Sequence, residues 1–207
     1  MNRLFVPASI AALSAGFTAV TATGGTLVSP TSYDMPNGDT GTFTYWDDSY
    51  NGSGDPTISS TPLSGGLGDL TDGVIATSNW NITPNLYVGW DEVTPTITFN
   101  FDAAYAFDYL VVYVDDANEF GGVSTPSSID LLVNGIATST PLTDGDSGAP
   151  LSFNIPVSAT TDTIQMTIND GLAQWVFLSE VQFYAIPAPG TASLLAASGV
   201  PALRRRR

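Results

Sequence analysis

The chain has 207 residues, 43% of them hydrophobic, and carries twenty acidic against five basic side chains, with no His and no Cys, for a net charge of −15. Without those two residue types, Ser-His-Asp and Cys-His catalysis, imidazole or thiolate zinc sites and any disulfide framework are excluded. All five cations sit at the ends (Arg3 and Arg204 to Arg207), while every acid lies between Asp34 and Glu180.

In chain order, Met1-Asn2-Arg3 is a short basic start, Leu4 to Val20 is apolar and small, and Val20-Thr21-Ala22 is a small-x-small site. This order predicts a secretory signal peptide over 1–22, cleaved near Ala22. Residues 23–41, rich in Gly, Thr, Ser and Pro, are expected to be a lead-in segment. A β-domain is then expected over 42–185. Thr96 to Phe101 alternates cleanly, with Ile97, Phe99 and Phe101 on one face, and Tyr109 to Val114 is apolar on both faces. Ser128 to Val133, Leu151 to Ile155 and Thr163 to Ile168 follow, bounded by Gly, Asp, Asn or Pro. Asn134-Gly135 is a hairpin signal between Val133 and Ile136. Trp175 to Tyr184 is the last strand. Strict alternation there places Phe177, Val181 and Phe183 on one face and Val176, Leu178, Glu180 and Tyr184 on the other. No amphipathic helix and no internal repeat is evident. The expected fold is all-β, an antiparallel β-sandwich or jelly roll.

The tail, 186–207, runs Ile186-Pro187-Ala188-Pro189-Gly190, then an apolar stretch to Leu203, then Arg204 to Arg207. It resembles the PEP-CTERM sorting signal of Gram-negative bacteria, a Pro-Glu-Pro motif followed by a hydrophobic stretch and Arg. Ala188 stands in place of the central Glu, between Pro187 and Pro189, and Pro201 interrupts the apolar run. The resemblance implies processing by an exosortase-like membrane enzyme, and export to the outer cell surface or extracellular matrix. The apolar stretch is shorter than the ~20 residues of a membrane helix, and the arginines favour the cytoplasmic side. A transient inner-membrane anchor is the expectation.

Removal of both ends would leave a domain with no side-chain cation. No salt bridge could form in it, and nucleic acid is excluded as a partner because Lys and Arg supply most of that affinity. Glu180 is then anomalous: in a mostly apolar row it must be solvated at an edge, protonated, or bound to a metal.

Asp69-Leu70-Thr71-Asp72-Gly73, then Trp80, Val88-Gly89-Trp90 and the terminal Trp175 to Phe183 strand resemble the galactose-binding-like jelly roll. That superfamily includes the discoidin or coagulation-factor type C domains and many carbohydrate-binding modules. The resemblance covers roughly Tyr45 to Ala185. It implies a structural calcium with Asp72 and Glu180 as carboxylate ligands, Thr77 as a hydroxyl or carbonyl ligand and Leu70 as a carbonyl ligand. Calcium takes oxygen donors of this kind and would offset the desolvation of both carboxylates. Val74 stands where a second acidic or amide ligand is common. Asp115-Asp116 and Asp144-Gly145-Asp146 are further acidic stretches, expected to be solvated turns.

Galactose-binding relatives commonly use His and Arg, neither of which occurs between residues 4 and 203. A sugar platform would rest on Trp46, Tyr50, Trp80, Tyr87 and Trp90, with Trp46 and Tyr50 expected to be the most exposed and Trp175 in the core. The expected function is an exported, non-catalytic binding module, calcium-stabilised and associated with exopolysaccharide. The alternative is a lectin-like module with a specific glycan ligand. A glycan-processing enzyme would need two placed carboxylates, and no motif marks such a pair.

Overall fold

Alternating apolar and polar runs, broken by Gly, Asn, Asp and Pro, become strands because one face can be buried while the other stays wet. The computed structural model describes residues 25–145, 147–171 and 174–187. Among them are nine strands: β1 (Thr26–Val28), β2 (Ser32–Pro36), β3 (Pro62–Gly66), β4 (Val88–Asp91), β5 (Thr96–Val114), β6 (Ser128–Val133), β7 (Ile136–Pro141), β8 (Leu151–Asn169) and β9 (Trp175–Ala185). The described residues contain no α-helix, only single 3-10 turns at Asp69–Thr71, Pro84–Leu86 and Phe120–Gly122.

β5 and β8 are 19 residues each and pair antiparallel along most of their length. Register shifts between Asn100 and Tyr105, and between Phe107 and Tyr109, bend this pair so that each strand serves two layers. What alternation presents as two short strands is therefore one long bent strand in each case. The first layer joins β3, β2, the early half of β5, the late half of β8, β6 and β7. In the second, the late half of β5 pairs β9, which carries β4 at its start and β1 at its end.

The layers close on one core. Phe99 of the first layer meets Phe183 of the second at 4.8 Å between ring centres, and Phe101 lies 5.1 Å from the same ring. Ile97, Leu110, Ile129, Ile155, Ile164 and Val181 fill the space around them. The result is an antiparallel β-sandwich of the jelly-roll class. Asn134 and Gly135 both take positive φ, 52° and 78°, which lets Val133 pair with Ile136 in a two-residue hairpin.

The lead-in expectation is corrected. β1 pairs β9, β2 pairs β3 and β5, and Tyr33 and Met35 are buried in the main core. These strands are only three and five residues long, so the pairing partners supply what local propensity does not. The signal-peptide residues with Ala22, the tail with Ala188, Pro189 and Arg204, and Asp146 lie outside the described residues; Pro187 is exposed. No helix among the described residues is long and apolar enough to cross a membrane.

Candidate functional site

β9 creates two different surfaces because it turns over in its middle. Val114 pairs with Leu178 but Tyr113 pairs with Glu180, so Ser179 is an extra residue on the β9 side. Such a bulge resets the two-residue period. Before it, Val176 and Leu178 enter the main core while Trp175 and Phe177 join a second cluster. After it, Val181, Phe183 and Ala185 enter the main core. The expectation that Phe177 shares a face with Val181 and Phe183 is corrected by this one inserted residue.

The second cluster gathers Tyr45, Ala76, Tyr87, Ala117, Val123, Trp175 and Phe177, with Trp80 and Leu86 packed against it. Phe177 stacks on both tryptophans, 6.0 Å from Trp80 and 5.4 Å from Trp175. Tyr45 meets all three edge-on, at 4.6 to 5.9 Å. These are favourable aromatic geometries. Phe43, 54% exposed, lies edge-on to Trp175, and Phe120, 65% exposed, stacks on Trp80.

A cavity of about 210 Å³ opens among these rings, lined by Phe43, Tyr45, Trp80, Trp175 and Phe177 and also by Asp91 and Gln174. Asp91 closes β4 opposite Trp175, which is why one acid and one amide stand beside the aromatic walls. Asp91 Oδ1 and Trp80 Nε1 are both shut off from water with no hydrogen-bond partner, an arrangement that native structures rarely leave unexplained. Gly121 also lines the cavity; its φ is +66°, and a Cβ there would collide with the Trp80 ring.

Of the expected platform, Trp80 lines this cavity and Trp46 is half-buried outside it. Tyr50, Tyr87 and Trp90 are buried and committed to the framework, a correction to their assignment. The Tyr50 hydroxyl donates to Tyr33 O at 2.6 Å, that of Tyr87 to Ser78 O at 2.9 Å, and Trp90 Nε1 donates to Pro36 O at 2.9 Å. Trp175, expected in the core, is 7% exposed and forms a wall. Phe43, Tyr45, Phe177, Asp91 and Gln174 were missed. The one local signal for them was the density of aromatic residues near Asp and Gln, which Trp46 and Tyr50 shared.

A second, smaller cavity of about 130 Å³ is lined in part by Thr71, Asp72, Gly73, Glu180 and Gln182. The turn Asp69–Thr71 is followed by Asp72 and Gly73, which line this cavity together with Glu180. Glu180 is 3% exposed, and its Oε2 accepts a hydrogen bond from Gly73 N at 3.2 Å. Burial, with the Asp72 charge adding to it, pushes its carboxyl up to about 8. Thr71 lines the same cavity, and its Oγ1 is buried with no partner. Two carboxylates and an unpaired hydroxyl are oxygen donors suited to a hard cation. Leu70 is fully buried in the main core, and Thr77 lines a different cavity with Tyr113 and Ser152. Among the described residues no three His, Cys, Asp or Glu side chains group around one point.

The remaining buried acids are structural features of the same loops. Asp47 is fully buried; it accepts from the Tyr33 hydroxyl and, at 2.9 Å, from Asp69 N, which pins the Asp69–Thr71 turn to β2. Burial raises the Asp47 carboxyl, and it raises that of Asp69 to about 7, with the charges of Asp47 and Asp48 adding to the latter. Asp115 and Asp116 are fully buried, not the solvated turn expected, because the loop carrying Asn79 and Trp80 folds over the end of β5. Asp144 is exposed and accepts from Thr125 Oγ1 at 3.0 Å.

Residues 30–185 match the family model of the DS-like domain of discoidin domain-containing receptor 1/2. No curated protein matches the chain. Similar solved structures include the family 32 CBM of Clostridium perfringens NanJ in complex with galactose, at TM-score 0.37 and 13% identity over 56% of this chain and 82% of that one. The lectin domain of Lectinolysin complexed with Lewis B antigen gives TM-score 0.42 and 10% identity over 56% of this chain and 82% of that one. A fucolectin from striped bass (Morone saxatilis) serum gives TM-score 0.44 and 11% identity over 76% of this chain and 46% of that one.

Proposed function

The chain belongs to the family of the DS-like domain of discoidin domain-containing receptors 1 and 2, and from that premise we propose that it is a binding module, taking a glycan in the aromatic cavity beside the start of β9. The observation that carries this reading is the convergence of five aromatic side chains with Asp91 and Gln174 around one opening. Ligand sites combine apolar walls with a few polar groups that fix orientation. At about 210 Å³ the cavity is smaller than a drug-sized site of ~300–1,000 Å³. It suits one sugar unit of a longer chain.

Asp91 is the sole carboxylate among the lining residues. A glycosidase requires a pair flanking the scissile bond, so this cavity supports binding over catalysis. The lectin-like reading is therefore preferred to a purely structural matrix module. The full reading is an exported protein, sorted by its C-terminal tract through an exosortase-like enzyme and acting at the cell surface or in the matrix, where exopolysaccharide is the available glycan. Calcium held by Asp72 and Glu180, with Thr71 beside them, would offset the burial of Glu180 and fasten the Asp69–Thr71 turn to β9. Binding of the full chain to a panel of bacterial and algal polysaccharides, followed by tryptophan fluorescence, tests the site. Saturable quenching that disappears in Trp80→Ala is the expected result. Binding that Trp80→Ala leaves unchanged, or no binding to any member, would overturn the assignment.

A further inference from the structure

We infer that the aromatic cavity selects a ligand bearing an organic ammonium group, and specifically a glycan whose sugar carries a free amine. This rests on the glycan reading above and sharpens it to a ligand class.

Phe43, Tyr45, Trp80, Trp175 and Phe177 present their rings around a single opening. Aromatic faces carry partial negative charge, and a group of them attracts a cation most strongly when water is excluded. The cavity wall also includes the acidic side chain of Asp91, whose Oδ1 has no donor in the protein. Within the span from residue 4 to residue 203 there is no Lys, Arg or His, so no cation of the domain itself can satisfy this carboxylate.

The rest of the chain points the same way. Its net charge of −15 repels uronic acids and sulfated sugars and concentrates cations near the surface. An anionic sugar would meet Asp91 with no compensating partner. A neutral sugar could give Asp91 a hydroxyl proton but would leave the attraction of the ring faces for positive charge unused. A protonated amine uses both.

The test titrates the full chain with matched short oligosaccharides of glucosamine, N-acetylglucosamine and glucose, and separately with choline, reading tryptophan fluorescence at mildly acidic pH. The expected result is binding of the glucosamine oligomer about tenfold or more tighter than either neutral oligomer, weakened by salt and with that preference narrowed in Asp91→Asn. The ligand comparison needs no variant, so a poorly folded mutant cannot obscure it. Equal or tighter binding of a neutral oligomer would overturn the ammonium inference while leaving the glycan reading intact. Binding of choline alone would retain the ammonium chemistry and overturn the glycan reading. No binding to any of the four would overturn both.

Discussion

Asp115→Asn isolates the cost of a charge that the fold takes out of water. Asp115 ends up fully buried just beyond β5, with Oδ2 accepting from Trp80 N at 2.7 Å and Oδ1 without a partner. Burial raises its carboxyl to about 6; the Asp116 charge adds to the rise, while the backbone N–H groups of Trp80 and Asp116 oppose it. The unfolded chain has the ordinary value near ~3.9, so the native state holds the proton more tightly. The contribution of this group to stability is therefore complete below about pH 4 and is lost as pH rises through about 6. A rise of roughly two pH units corresponds to about 3 kcal/mol. Asparagine keeps an oxygen for Trp80 N and does not titrate, although its amide group replaces an oxygen that has no hydrogen-bond partner. An unpaired amide costs about 1 kcal/mol or more, so the net gain at neutral pH is smaller than the full linkage value. Urea unfolding of both proteins at steps from about pH 3.5 to 7.5 should show wild-type stability falling by about 2–3 kcal/mol relative to the variant, with the variant the more stable by about 1–2 kcal/mol at the upper end. Parallel curves across that window would refute the reasoning, because they would mean that Asp115 is not desolvated in the native state.

Calcium at a hundredfold excess over its dissociation constant should stabilise the chain by about 3 kcal/mol, with the rise in melting temperature abolished in Glu180→Gln and Asp72→Asn; a rise that survives both substitutions places the cation elsewhere. Phe183→Ala empties the contact among Phe99, Phe101 and Phe107, and denaturant unfolding should register a loss of about 3–5 kcal/mol. Tyr33→Phe leaves buried Asp47 without its hydroxyl donor, at a cost of about 1–3 kcal/mol. That cost should shrink under acid conditions that protonate Asp47, and an equal loss at all pH values would assign the effect to packing alone. Gly121→Ala, at φ +66° and against the Trp80 ring, should weaken glycan quenching more than it lowers the melting temperature; unchanged quenching would show that Trp80 does not depend on this close approach.

How far the sequence could be followed differs from element to element. Ser128–Val133 and the Asn134-Gly135 turn were legible because period-two alternation and a two-residue αL-tolerant turn are both local properties. Asp72 and Glu180 were paired through a resemblance, and the structure places them in one cavity. Thr71 lines that cavity and Thr77 lines another, a difference that spacing along a loop does not announce. Tyr50, Tyr87 and Trp90 looked like an exposed platform because aromatic residues beside Asp and Asn carry the same local signature whether they cap a core or line a site. Their hydroxyl and indole groups find acceptors in Tyr33, Ser78 and Pro36, contacts that no local pattern announces.

By itself the sequence determined the all-β class, the strand positions in the second half of the domain and the absence of any internal cation, because residue type and short-range periodicity are sufficient for each. Only the tertiary structure decided that Thr26–Val28 and Ser32–Pro36 belong to the sheets, that Ser179 turns β9 over, and that Phe43, Tyr45, Trp80, Asp91 and Trp175 surround one cavity. The physical reason is common to all three. A strand's partner, a bulge's position and a cavity's walls are set by pairing between segments far apart in the chain, and one inserted residue is enough to exchange the buried face for the open one.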